Sequence, residues 1–97
     1  MQKRTMKPGR PVGATTYEAE PAIAFGKAER AARVARQISQ EELATRAGIE
    51  RSHMGKIERG QHMPTLALIL RVSIALNDSA ANLMTATESI LYADSEG

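Results

Sequence analysis

Lys3, Arg4, Lys7 and Arg10 place four cations in the first eleven residues with no acid among them. Ammonium and guanidinium groups on an unpaired segment suit phosphate neutralisation better than acid–base chemistry. Residues 78–97 carry Asp78, Glu88, Asp94 and Glu96 and no base. A basic arm with an acidic tail points to nucleic acid; the alternative is two tails that are simply solvated. His53 and His62 are the two histidines, and the chain has no Cys. Their spacing is not that of metal ligands, so solvent-exposed or DNA-facing imidazoles are expected, with no metal and no cofactor. Serines, histidines and acids are all present, but no nucleophile motif surrounds any serine. The chain does not read as an enzyme.

The elements that must hold these groups are constrained by composition. Ninety-seven residues make one domain, and 42% of them are hydrophobic. Phe25, Tyr17 and Tyr92 are the only aromatics, so Ala, Leu, Ile and Met must pack the core, which favours helices over sheets. The longest apolar run, Leu66 to Leu70, is far too short to span a bilayer. The basic N-terminus is not followed by an apolar signal-peptide region, so a cytoplasmic protein with no membrane partner is expected. Net charge is only +2 and by itself says little about partners.

Residues 1–21 hold three of the four prolines and two of the seven glycines and are expected to form an extended, flexible arm. Residues 22–93 form the folded domain, and 94–97 a frayed tail. A first helix runs from Pro21–Ala22 to Gln37. Ser39 and Glu42 make an S-x-x-E capping box for a second helix, Gln40 to Ala47, which Gly48 ends. A third covers Arg51 to Arg59 and stops at Gly60. Thr65 caps a fourth that reaches Leu76, beyond the loop that Pro64 ends. Asn77-Asp78-Ser79 reads as a turn and cap, and a fifth runs from Ala80 to about Leu91. No stretch alternates with period two, so the fold class is all-α.

Ser39 to Gly60 is therefore a short helix, a tight turn and a second short helix. Leu43, Ala44, Ala47, Ile49, Met54 and Ile57 are its apolar positions. Ala44 is small where two steeply crossed helices must approach, Gly48 supplies the turn, and Ile49 plugs the angle between the helices. This is a helix-turn-helix, whose second helix enters the major groove.

The run Ser39-Gln-Glu-Glu-Leu-Ala-Thr-Arg-Ala-Gly-Ile49, followed by Lys56-Ile-Glu-Arg-Gly60 and Pro64, resembles the Cro/C1-type (Xre) family of phage repressors and bacterial regulators. The similarity spans roughly Phe25 to Met84. It implies a lambda-repressor-like bundle of four or five helices, in agreement with the five counted above. It also implies that Arg51, Ser52 and Lys56 reach base edges, flanked by Glu50 and His53, and that Gln40 binds a phosphate. Arg and Lys suit guanine O6 and N7, and Ser pairs with several bases. Thr45 and Arg59 are expected as further phosphate contacts; the alternative for Arg51 and Lys56 is that they are ordinary solvated helix residues. Arg33 and Glu58 match a family ion pair that clamps the first helix to the end of the third; the alternative is two free surface charges.

Three residues depart from the family pattern: Glu29 where an aliphatic residue is usual, Gln37 where Gly closes the first helix, and Asp78 before the fifth. The first helix is expected to pack thinly through Ala28, Ala31, Ala32 and Ala35. Gly9-Arg10-Pro11, flanked by basic residues, resembles an AT-hook core, so the arm either enters an A·T-rich minor groove or loosely tracks phosphates. Leu68, Ile74, Met84, Ile90 and Leu91 exceed what one small core needs. Met84, Ile90 and Leu91 are the expected homodimer seam, unless Ile90 and Leu91 fold back on their own chain. The function expected is a dimeric, sequence-specific regulator of transcription, more a repressor than an activator, on double-stranded DNA with a near-palindromic operator. The alternative is an interaction module such as the antitoxin of a toxin–antitoxin pair.

Overall fold

The computed structural model describes residues 18–96, with side chains as far as Ala93; Lys3, Arg4, Lys7 and Arg10 lie outside the described residues. Five helices follow one another: α1 (Ala19–Ala35), α2 (Gln40–Ala47), α3 (Arg51–Glu58), α4 (Leu66–Ala75) and α5 (Ala80–Glu96). Among the described residues there is no strand, and no single helix is long and apolar enough to cross a membrane.

Helix α1 begins two residues before Pro21, inside the segment expected to be an arm. Pro21 sits in its first turn, where an absent amide costs no helical hydrogen bond. Gln37 ends it in the left-handed region, at φ +58°, with its amide donating to the Val34 carbonyl and that of Ile38 to Arg33. A side chain with a Cβ is held there at some cost, where the family has Gly. Ser39 caps α2 by accepting from the Glu42 amide at 3.0 Å. The carboxylate of Glu42 does not complete the capping box; it takes the Arg46 guanidinium at 2.9 Å instead. Gly48 turns the chain at φ +77°. A Cβ there would meet nothing within 4 Å, so backbone conformation rather than space selects glycine.

Thr65 caps α4 through the Leu68 amide, and Ser79 caps α5 through that of Asn82. Asp78 accepts from the Ser79 amide and the Asn82 side chain, each at 2.8 Å. It also pairs with Arg36 at 3.1 Å, tying the end of α1 to the start of α5. These bonds, with that to Asn82 foremost, hold its carboxyl below the usual range. They give a polar residue a use at a position where an apolar one is usual. Helix α5 continues to Glu96 rather than stopping near Leu91, because no Pro or Gly intervenes before Gly97.

Leu43, Met54, Ile57, Val72, Leu76 and Leu83 are the large side chains at the centre of the core, joined by Phe25 from α1. Helix α1 lies chiefly against α5 and α3. It buries Ala22, Ala24, Phe25, Gly26, Ala28 and Glu29, whereas Ala31 and Ala35 are exposed. The thin packing therefore permits close approach. A Cβ on Gly26 would collide with the Ile57 and Glu58 carbonyls, so α1 crosses the end of α3 backbone to backbone. Helix α2 packs on both α3 and α4.

Candidate nucleic-acid interface

Helix α3 is short, amphipathic and presents a polar side to solvent. Met54 and Ile57 bury its inner side, fixing which residues face outward: Arg51, Ser52, Lys56 and Arg59, with Glu50 just before them, are exposed. Among the described residues, neither Arg51 nor Lys56 is paired with a carboxylate. Their charge is therefore available to a polyanion. Arg59 donates its Nε–H to the side-chain oxygen Oε1 of Gln61 at 3.2 Å, and Thr45 is exposed on α2.

His53 stands apart from that exposed strip. It is half-buried, and its ring meets His62 edge to face, with centroids 4.5 Å apart and planes at 86°. Its Nε2 is enclosed without a hydrogen-bond partner. Burial, then the neighbouring His62 and Lys56, holds its pKa below the ordinary value, so the neutral imidazole is favoured. The two histidines separated in sequence thus form one contact, flanking the α3 surface.

Gly55 was not singled out by the sequence. It lies one turn from both Arg51 and Arg59, and a Cβ on it would stand 3.0 Å from Arg59 Nη1 and 3.6 Å from Gln40 Oε1. Two polar side chains thus cover bare helix where a larger residue would displace them. The signal available in the sequence was a glycine inside an otherwise unbroken helix, which costs stability without a local reason.

A polar knot behind this surface sets the position of α3. Arg33 grips Glu58 with two bonds, Nε to Oε2 at 2.7 Å and Nη2 to Oε1 at 2.9 Å, while its Nη1 donates to the Ile38 carbonyl at 2.9 Å. Gln40 Nε2 donates to Glu58 Oε1 at 3.1 Å. One hydrogen of the Gln40 amide is thereby engaged, which aims the group and leaves the other for an outside acceptor. Glu29 completes the knot. It is wholly buried, and neither carboxyl oxygen has a partner of good hydrogen-bond geometry. Burial first, then the neighbouring Glu58, pushes its pKa up to about 9, against the pull of Arg33. Burial pushes Glu58 upward too, but Arg33, Glu29 and Gln40 outweigh it and hold that carboxyl low. At neutral pH the knot is one guanidinium, one carboxylate and one neutral acid. It joins α1, the start of α2 and the last residue of α3.

A tight α2–turn–α3 unit, locked from behind and carrying unpaired cations in front, defines a helix-turn-helix protein. The helix-turn-helix family model matches residues 30–79, and the chain belongs to that Cro/C1-type family. An uncharacterized HTH-type transcriptional regulator, y4dL, of Sinorhizobium fredii is 46% identical over 48 residues, 50% of this chain and 24% of its own length. The control protein C.SmaI of Serratia marcescens is 38% identical over 48 residues, 50% of this chain and 57% of that protein. The chain thus spans less than two thirds of either relative. Among solved structures, the restriction-modification controller protein C.AhdI of Aeromonas hydrophila superposes with a TM-score of 0.63 at 39% identity. That match covers 64% of this chain and 94% of the other.

Proposed function

We propose that the chain is a sequence-specific DNA-binding regulator of transcription, acting as a dimer on a near-palindromic operator and repressing where that operator overlaps a promoter. The carrying observation is the outward side of α3, where Arg51, Ser52 and Lys56 stand exposed with both cations unpaired. Arg51 and Lys56 donate to guanine O6 and N7, Ser52 contacts an adjacent base, and Glu50 and His53 border the reading surface. Gln40, Thr45 and Arg59 hold phosphates and set the register. The arm cations Lys3, Arg4, Lys7 and Arg10 add sequence-independent attraction. The relatives named as a transcriptional regulator and as controller proteins support the reading. So does the chemistry, since none of these groups needs a metal or cofactor to bind DNA.

Binding to a randomised duplex library tests it. Arg51→Ala and Lys56→Ala should each cost about 1–3 kcal/mol at one base position and relax preference there. Gln40→Ala should weaken all sequences alike. Uniform loss for both classes of variant would remove α3 as the reading element.

A further inference from the structure

Helix α4 is apolar on two opposite sides. Leu68, Val72 and Ala75 face the core, yet the opposite side carries Leu66, Leu70 and Ile74, exposed by 71%, 46% and 78%. A helix on the outside of a small domain ordinarily turns charged or polar residues to water. Arg71, at one edge of this strip, is the only charged residue of α4. Helix α5 offers less free hydrocarbon, because α1 packs along it and Met84, Ile90 and Leu91 are already half-buried.

The three exposed side chains recur at every fourth residue, so they form one continuous ridge. Interdigitation of two such ridges is the commonest way helices pack in globular proteins. This ridge therefore fits a copy of itself, with Leu70 on the two-fold axis and Leu66 of each copy against Ile74 of the other. A foreign partner chosen by charge would find no acid on the ridge and one cation at its rim. Residues 1–17 suit it poorly, since they bring four cations and few apolar side chains. We propose that the α4 ridge is the surface on which two copies of this chain pair, a step that rests on reading the protein as a dimeric regulator. The ridge exposes roughly 300–400 Å² of hydrocarbon per copy, enough for the centre of an interface that buries roughly 800 Å² on each partner. Because α4 packs on α2, pairing here also fixes the two α2–turn–α3 units relative to each other.

Sedimentation equilibrium of the full chain, with and without Leu70→Glu plus Ile74→Glu, tests the proposal. The parent should be dimeric at micromolar concentration and the double variant at least 100-fold weaker in self-association, with unchanged helicity. Leu70→Cys gives a second route, since the chain has no other cysteine: oxidation should link two copies into a dimer that still selects DNA. A parent that remains dimeric after both α4 substitutions but dissociates on Ile90→Glu would overturn the ridge in favour of α5. A monomeric parent that still selects DNA sequences would overturn it while leaving the DNA reading intact. A dimer broken by the α4 substitutions, in a protein that selects no DNA sequence, would sustain the ridge and remove the DNA reading.

Discussion

Where α1 crosses α3, the molecule buries two carboxyls beside a half-buried guanidinium; along α4 it turns three large aliphatic side chains to water. Each region inverts the usual distribution of polar and apolar groups. The inversions are resolved differently. The α1–α3 knot is resolved within the chain: Arg33 and Gln40 satisfy Glu58, and Glu29 keeps a proton. Such a group contributes orientation more than stability, because the desolvation of its charges offsets their attraction. It sits where α3's angle is decided. The α4 ridge finds no cover among the described residues; on the proposed pairing, a second copy covers it. One region fixes α3 within a copy; the other, on the pairing proposed above, sets the geometry between copies.

The contrast can be broken from either side, and the knot gives the larger effects. Glu58→Ala leaves the half-buried Arg33 without its partner and Gln40 without its acceptor, and should destabilise the domain by about 3–5 kcal/mol in chemical denaturation. A loss below about 1 kcal/mol would mean that α1 and α3 are held by packing alone.

Glu29→Gln sharpens the account through pH. The folded pKa of about 9 lies above the ordinary 4.5, so the folded state keeps a proton that the unfolded chain releases. Stability from this group is complete below about pH 4.5 and is lost as pH rises towards about 9, with a slope up to about 1.4 kcal/mol per pH unit. The variant should therefore match the parent near pH 4 and exceed it increasingly towards pH 9. Parallel pH profiles for the two proteins would show that Glu29 is ionised in the fold.

The ridge gives the smallest effect on an isolated copy. Ile74→Gln should alter the unfolding free energy of the monomer, measured below its association range, by no more than about 0.5 kcal/mol. A loss of about 2 kcal/mol would place Ile74 inside the core of its own chain and remove it from the ridge.

These regions also differ in how legible they were. The helix starts at Ser39 and Thr65 and the stop at Gly48 are local chemistry and could be read directly from the residues. The ends of α3 and α4 fell within a residue of those expected. Glu29 could be flagged as out of place, but its fate depends on Gly26 bringing α1 onto the Ile57 and Glu58 carbonyls. That contact between residues far apart in the chain has no periodic signature. The ridge was hidden for the opposite reason. Leu-Ala-Leu-Ile-Leu reads as core, and an apolar run does not disclose which of its sides lacks a neighbour; only Ile74 stood out. At the interface, the exposure of Arg51, Ser52 and Lys56 follows from Met54 and Ile57 facing inward. The retreat of His53 against His62 depends on the loop after α3, whose path residue types do not specify.

The most direct test of the account is an interference experiment on an operator obtained by selection, in which each purine in turn is replaced by its 7-deaza analogue. Major-groove reading by Arg51 and Lys56 requires the N7 acceptor. Binding should fall sharply at a few purines in two clusters roughly 10 base pairs apart, one helical turn, matching two copies of α3. Lys56→Ala should become indifferent at one position in each cluster. Binding that tolerates every N7 replacement would contradict recognition through the exposed side of α3.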